Sequence, residues 1–169
     1  ITCPNEFVLR SLPLEIRKKK PCLVAPFGSP EFSPPPKERA DGKILKLLFV
    51  GSMSQRKGLA DLFDAMKLIG SSSVSLSILG QPSMPMSFYR SQYPSFEYLP
   101  TRSHEGVREA MLAHDVLVLP SIVEGRALVQ QEAMACGLPL IVTANAGGED
   151  LVEEEKTGFL VPIRQPERI

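Results

Sequence analysis

Two glutamates in the stretch "SIVEGRALVQQEAMACGLP" (121–139) bracket a Gly-containing turn and the opening of what reads as a helix: Glu124 and, eight positions on, Glu132. If both were helical, that spacing would be about two turns, or ~12 Å along the axis. Two carboxylates so far apart cannot act on one small group. They can accept hydrogen bonds from hydroxyls at opposite ends of an extended polar ligand. Between them lie the backbone amides of Gly125, Arg126, Ala127 and Leu128, which at a helix start have no intrahelical acceptor. Such amides, with the helix dipole behind them, form a seat for an anion, and Gly125 lets a diphosphate approach the backbone closely. A diphosphate on the amides, flanked by a sugar and a ribose, fits the pattern. A helix-start Glu and an unrelated surface Glu is the alternative, and it stays open on these residues alone.

A second turn, "FVGSMSQRKGL" (49–59), places Arg56 and Lys57 between a strand end and a helix start. Two cations beside a helix N-terminus suit a phosphate; two ordinary surface cations on a solvated loop are the other reading. The turn is neither a Walker A loop nor GxGxxG. A third turn, "TANAGGEDLV" (143–152), carries Gly147 and Gly148, for which a backbone contact with ligand and a simple tight turn serve equally well.

The elements that must position these turns alternate from Lys46 onward. "LKLLFVG" is a short unbroken apolar run, the mark of a strand covered on both faces. "KGLADLFDAMKLIG" spaces Leu59, Leu62, Phe63, Met66 and Ile69 as a helix does, with Gly70 as its stop. "VSLSILG", "FEYLP", "VLVLP", "LPLIVT" and "TGFLVP" read as strands. "SFYRSQY", "SHEGVREAMLAHD", the segment from Arg126 or Ala127, and "GGEDLVEEE" read as helices. Residues 1–45 are irregular apart from a short strand in "CLVAPFG", and "PFGSPEFSPPPKERADG" has the composition of a connector. Strand and helix in alternation predict an α/β fold, a Rossmann-like, doubly wound parallel sheet with right-handed crossovers. Ligands bind such sheets beyond the carboxyl ends of the strands, where all three turns fall.

Composition narrows the function classes. With 19 basic and 19 acidic residues the chain has no net field to draw in nucleic acid or a membrane. The one dense basic block, Arg17 to Lys20, reads as a solvated face, with peripheral contact to anionic lipid as its second reading. No apolar stretch approaches the roughly 20 residues that span a bilayer. The start, "ITCPNEFVLR", lacks a signal peptide's apolar core and lacks an initiator Met, as a cut end would. Cys3, Cys22 and Cys136 are odd in number and widely spaced, the pattern of reduced thiols in a cytoplasmic protein and not of a disulfide frame or zinc site. Cys136 reads as a small packed residue near a helix end, and His104 and His114 as surface residues. No metal site is expected.

"LLFVGSMSQRKGLADLFDAM" together with "DVLVLPSIVEGRALVQQEAMACGLPLIVTANAGGEDLVEEEKTGFLVP" closely resembles the C-terminal, nucleotide-sugar-binding domain of retaining GT-B glycosyltransferases of family four. "ITCPNEFVLRSL" and "APFGSPEFSP" resemble the end of the partner domain and the connector. The resemblance implies that residues 1–45 close an N-terminal, acceptor-binding domain and that 46–169 form the donor-binding domain, its final helix cut short.

The resemblance also implies roles. Lys57 matches the lysine that contacts the donor diphosphate, and Gly125, Arg126, Ala127 and Leu128 match the amides around the donor's phosphate and sugar. Glu124 matches the glutamate holding the transferred sugar near its anomeric centre, and Glu132 the one accepting from the ribose. Ser52 stands where the family often has Arg, with Arg56 as its substitute, and Asp150 stands nearest to an expected Glu. The implied reaction is retaining transfer of a sugar from a nucleotide-diphosphate sugar to an acceptor hydroxyl, with cations and amides on the leaving diphosphate in place of a metal or other cofactor. An acid–base use of the two carboxylates fits less well, since hydrolase pairs stand about 5–9.5 Å apart. The stretch alone is expected to bind donor weakly and to turn over nothing. A non-catalytic nucleotide-binding module, or a sugar-nucleotide epimerase or phosphorylase on the same fold, is the alternative. The donor pocket requires residues 124 and 132 to face one cleft.

Overall fold

A computed structural model of the chain describes residues 1–29, 31, 32, 34, 44–70 and 72–169. Most of the connector expected over 26–42 lies outside the described residues.

Each apolar run forms a strand: β3 (Leu45–Val50), β4 (Val74–Leu79), β5 (Phe96–Leu99), β6 (Val116–Leu119), β7 (Leu140–Thr143) and β8 (Gly158–Val161). They make one six-stranded sheet in the order β5-β4-β3-β6-β7-β8, every pairing parallel. Burial on both faces accounts for the unbroken runs: Leu48, Phe49, Ile78, Leu117, Val118, Leu119, Leu140 and Val142 are fully enclosed.

Helices cover the faces. α3 (Leu59–Ile69) turns Leu59, Leu62, Phe63, Ala65 and Met66 into the core, each large side chain stabilising the fold by roughly 1.5–3 kcal/mol. α4 (Met86–Gln92), α5 (His104–Leu112) and α6 (Leu128–Ala135) follow β4, β5 and β6. Ser103 caps α5, its Oγ accepting from Gly106 N at 3.3 Å. Ahead of the sheet, β1 (Thr2–Cys3) and β2 (Leu23–Val24) pair in parallel around α1 (Glu6–Ser11) and α2 (Leu14–Lys19). No helix among the described residues is long and apolar enough to cross a membrane.

Three expectations need correction. No helix forms in "GGEDLVEEE". A 3-10 turn over Ala144–Ala146 ends at Gly147, one further turn closes with Leu151 N and Val152 N donating to Gly148 O, and Glu155 at φ 64° bars continuation. α6 begins at Leu128, not at Arg126 or Ala127, with Ala127 extended as its cap. The strand in "CLVAPFG" stops at Val24.

The chain runs outward from β3 through β4 to β5, then returns to lay β6 on the other side of β3. Connections therefore leave the carboxyl ends of β3 and β6 in opposite directions, and a crevice opens between them.

Candidate functional site

That crevice is walled by the turns after β3 and β6. Gln55–Lys57 forms a 3-10 turn that closes on Gly58, at φ 71°, from which α3 departs. Gly58 lies so close to the end of β6 that a Cβ there would fall 1.9 Å from Pro120 O. Ile122 N donates to Arg56 O at 2.9 Å, hooking the two turns together.

Glu124 is thereby set over the cations. Its Oε1 lies 2.8 Å from Lys57 Nζ and also accepts from Arg56 Nη1. Lys57 and Glu124 side chains are each 12% exposed, so this pair is partly desolvated, whereas Arg56 is half exposed. The three charges sum to one positive charge, which favours an anion. Glu124 Oε2 has no partner among the described residues.

The backbone after Glu124 is pinned from below. Glu124 N donates to Asn145 O at 2.7 Å and Ala127 N to Ala146 O at 3.4 Å. The amides of Gly125, Arg126 and Leu128 meet no acceptor among the described residues. They open α6, whose first turn supplies the positive end of a helix dipole.

Lys57, Glu124, Arg126, Ala127, Leu128 and Glu132 line one cleft of about 440 Å³, with Gly51, Arg102, Ser103 and His104. Glu132 reaches it from α6, its carboxylate 4.0 Å from Nδ1 of His104, a side chain 99% exposed. Arg56 and Gly125 do not line the cleft; Arg56 touches it through Glu124. The adjoining hollow between Phe32 and Cys136, which shares His104 and Glu132 with the cleft, is lined by neither Lys57 nor the residues 126–128.

The Arg126 side chain takes no part in the seat. It turns under it, 1% exposed, with Nη2 2.5 Å from Asp150 and donating to Pro4 O at 3.1 Å. Its Nε and Nη1 are buried without a partner among the described residues. Asp150, which stands nearest to the Glu that the resemblance implies, is thus this arginine's counter-ion. Ser52 shares a hydrogen bond with Ser54 at 3.2 Å. Gly147 takes the tight-turn role, packed against Gly125 O and Asn5.

His114 corrects a surface assignment: it is buried, with Nδ1 2.6 Å from Ala110 O. Cys136 caps α6 in the interior, where burial pushes its thiol pKa up against the opposing pull of Arg108. All three thiols are free. Sequence reasoning missed Arg102, a cation directly after β5; the strand-end rule that singled out Arg56 and Lys57 applies to it too. It also missed Asn5, whose partner lies 120 positions away. No group of three or more His, Cys, Asp or Glu among the described residues is arranged to hold a metal ion.

Residues 45–169 match the family described as Glycosyl transferases group 1. The putative colanic acid biosynthesis glycosyltransferase WcaL of Escherichia coli is 30% identical over 149 residues, covering 78% of this chain and 35% of its own. Among solved structures, sucrose-phosphate synthase from Thermosynechococcus elongatus superposes with a TM-score of 0.79 at 26% identity, over 99% of this chain and 46% of its own. Anabaena Alr3699/HepE, crystallised in complex with UDP, gives a TM-score of 0.67 at 22% identity, over 75% and 37% of the two chains. The chain spans 16% to 35% of the length of the curated relatives it matches.

Proposed function

The chain belongs to the group 1 glycosyl transferases, and from that premise we propose that it is the donor-binding half of a retaining, family-four enzyme of GT-B architecture. It takes a nucleotide-diphosphate sugar and passes the sugar, a hexose, to an acceptor hydroxyl. Residues 1–45 then end the N-terminal, acceptor-binding domain and lead into the donor domain at 46–169.

One observation carries this reading: Lys57 and Glu124 share a cleft with Glu132, across unpartnered amides at the head of α6. In the proposed complex the diphosphate rests on the amides of Gly125, Arg126 and Leu128, with Ala127 shaping the seat, and takes Lys57 as counter-ion. Arg56 keeps hold of Glu124 Oε1 and adds positive charge in place of the arginine that Ser52 replaces. Glu124 Oε2 accepts from hydroxyls of the transferred sugar, and Glu132 from the ribose. As the glycosidic bond to the diphosphate breaks, negative charge builds on the leaving oxygen, and the fixed cations and amides stabilise it there more than in the ground state. These groups do what a metal would otherwise do, so the proposed reaction uses none. The exposed block from Arg17 to Lys20, on and beyond α2, is a solvated face of a cytoplasmic enzyme, with peripheral contact to anionic lipid as its second reading.

The test is a thermal-shift screen of UDP-, GDP- and ADP-sugars against the full-length protein, followed by acceptor transfer with the anomeric configuration read by NMR. Stabilisation by one sugar nucleotide and transfer with retention are expected. Inversion would overturn the retaining assignment. Interconversion of free sugar nucleotides without acceptor would replace transferase by epimerase.

A further inference from the structure

The loop that carries the unpartnered amides is held from outside the sheet. Asn5, 1% exposed, caps α1 through Oδ1, which accepts from Val8 N at 2.8 Å. Its Nδ2 donates to Gly125 O at 2.6 Å. The side chain is thus fixed at both ends, and the 147 turn wedges it: a Cβ on Gly147 would fall 2.4 Å from Asn5 Nδ2.

Gly125 C=O and Arg126 N–H belong to one peptide unit, and no cis bond occurs among the described residues. In a trans unit the carbonyl and the amide point to opposite sides. Holding the Gly125 carbonyl toward Asn5 therefore holds the Arg126 N–H on the side away from it, and this N–H has no acceptor among the described residues. We propose that Asn5 is a positioning residue for donor binding: it locks the 125–126 peptide so that the Arg126 amide faces the diphosphate before the ligand arrives. Without that anchor the unit can rotate and present its carbonyl, an electronegative group, where the diphosphate must sit. The inference rests on the donor reading above.

A serine at position 5 keeps a cap for α1 but is too short to reach Gly125 O, so Asn5→Ser separates the two roles of the side chain. Isothermal titration of the full chain with UDP, GDP and ADP, and with uridine, guanosine and adenosine, is the test. The expected result is about tenfold weaker binding of the preferred nucleoside diphosphate, the size of one hydrogen bond to a charged group, with nucleoside affinity unchanged. Arg10→Ala, which removes an exposed tie from the same N-terminal segment to Glu149 in the neighbouring turn, is expected to keep wild-type affinity. An equal loss in Arg10→Ala would reduce the effect to docking of the N-terminal segment and overturn the proposal. Wild-type affinity in Asn5→Ser would overturn it while leaving the donor reading intact. Failure of the wild-type chain to bind any of the three diphosphates would overturn both. Should Asn5→Ser not fold, the wild type decides by NMR: the Arg126 amide proton must move downfield with the preferred diphosphate and not with its nucleoside, and an unmoved proton at saturation overturns the proposal.

Discussion

Glu124 meets two cations through a single oxygen, and among the described residues its neighbour Lys57 has no other counter-ion. Glu124→Gln leaves that largely buried ammonium without a negative partner among the described residues. The expected cost is about 1–2 kcal/mol in urea denaturation, less than for a fully buried pair because solvent screens the group in part. In the full-length enzyme the same change is expected to lower transfer at least 100-fold, a figure typical of lost transition-state contacts. Asp61 gives a pH signature. Burial raises its carboxyl above the usual 3.8, against the bond from the Arg164 amide, and its Oδ2 is enclosed with no partner among the described residues. The folded chain therefore holds this proton at a pH where the unfolded chain has lost it, and stability falls as pH rises through the window just above 3.8. Asp61→Asn removes that slope. The difference in melting temperature between variant and wild type is expected to move in the variant's favour from about pH 4 to pH 7.

At the scale of elements, Gly58 and Gly70 open and close α3 with the same left-handed backbone but in unlike surroundings. A Cβ on Gly58 would overlap Pro120 O, whereas the nearest atom a Cβ on Gly70 would meet among the described residues is Lys67 O at 3.8 Å. Gly70→Ala is expected to cost about 1 kcal/mol, the backbone penalty alone. Gly58→Ala must also separate the β3 and β6 turns, and about 3 kcal/mol or more is expected from urea midpoints. Much of this level was legible in the sequence. Apolar runs gave the six strands of the sheet, 3.6-residue spacing gave α3, the strand-end rule led to Lys57 and Glu124, and the eight-residue spacing led on to Glu132. What escaped was whatever depends on distant partners. "GGEDLVEEE" has helical composition, but Gly147 is pulled against Gly125 and Asn5, and one turn is all that remains. His114 reads as a surface residue, yet it is buried with its ring held at Ala110 O. Asn5 looks like an ordinary helix cap, because Gly125 is far along the chain.

For the whole molecule, a ligand that binds only the folded form must raise its stability by mass action. At a hundred times the dissociation constant the gain is about 2.7 kcal/mol. For a chain of this size that corresponds to roughly 5–10 °C in melting temperature, and the preferred sugar nucleotide is expected to reach that shift in a calorimetric scan. The switch in strand order also fixes which half of the sheet each cleft group comes from. β3, β4 and β5 contribute Lys57 and Arg102, while β6, β7 and β8 contribute Glu124, Glu132 and the free amides. Severed in the link between α5 and β6, the chain would yield two three-stranded pieces, each holding one jaw of the grip and neither able to close on anything. The grip is in that sense a property of the join between β3 and β6, because neither half of the sheet carries both jaws.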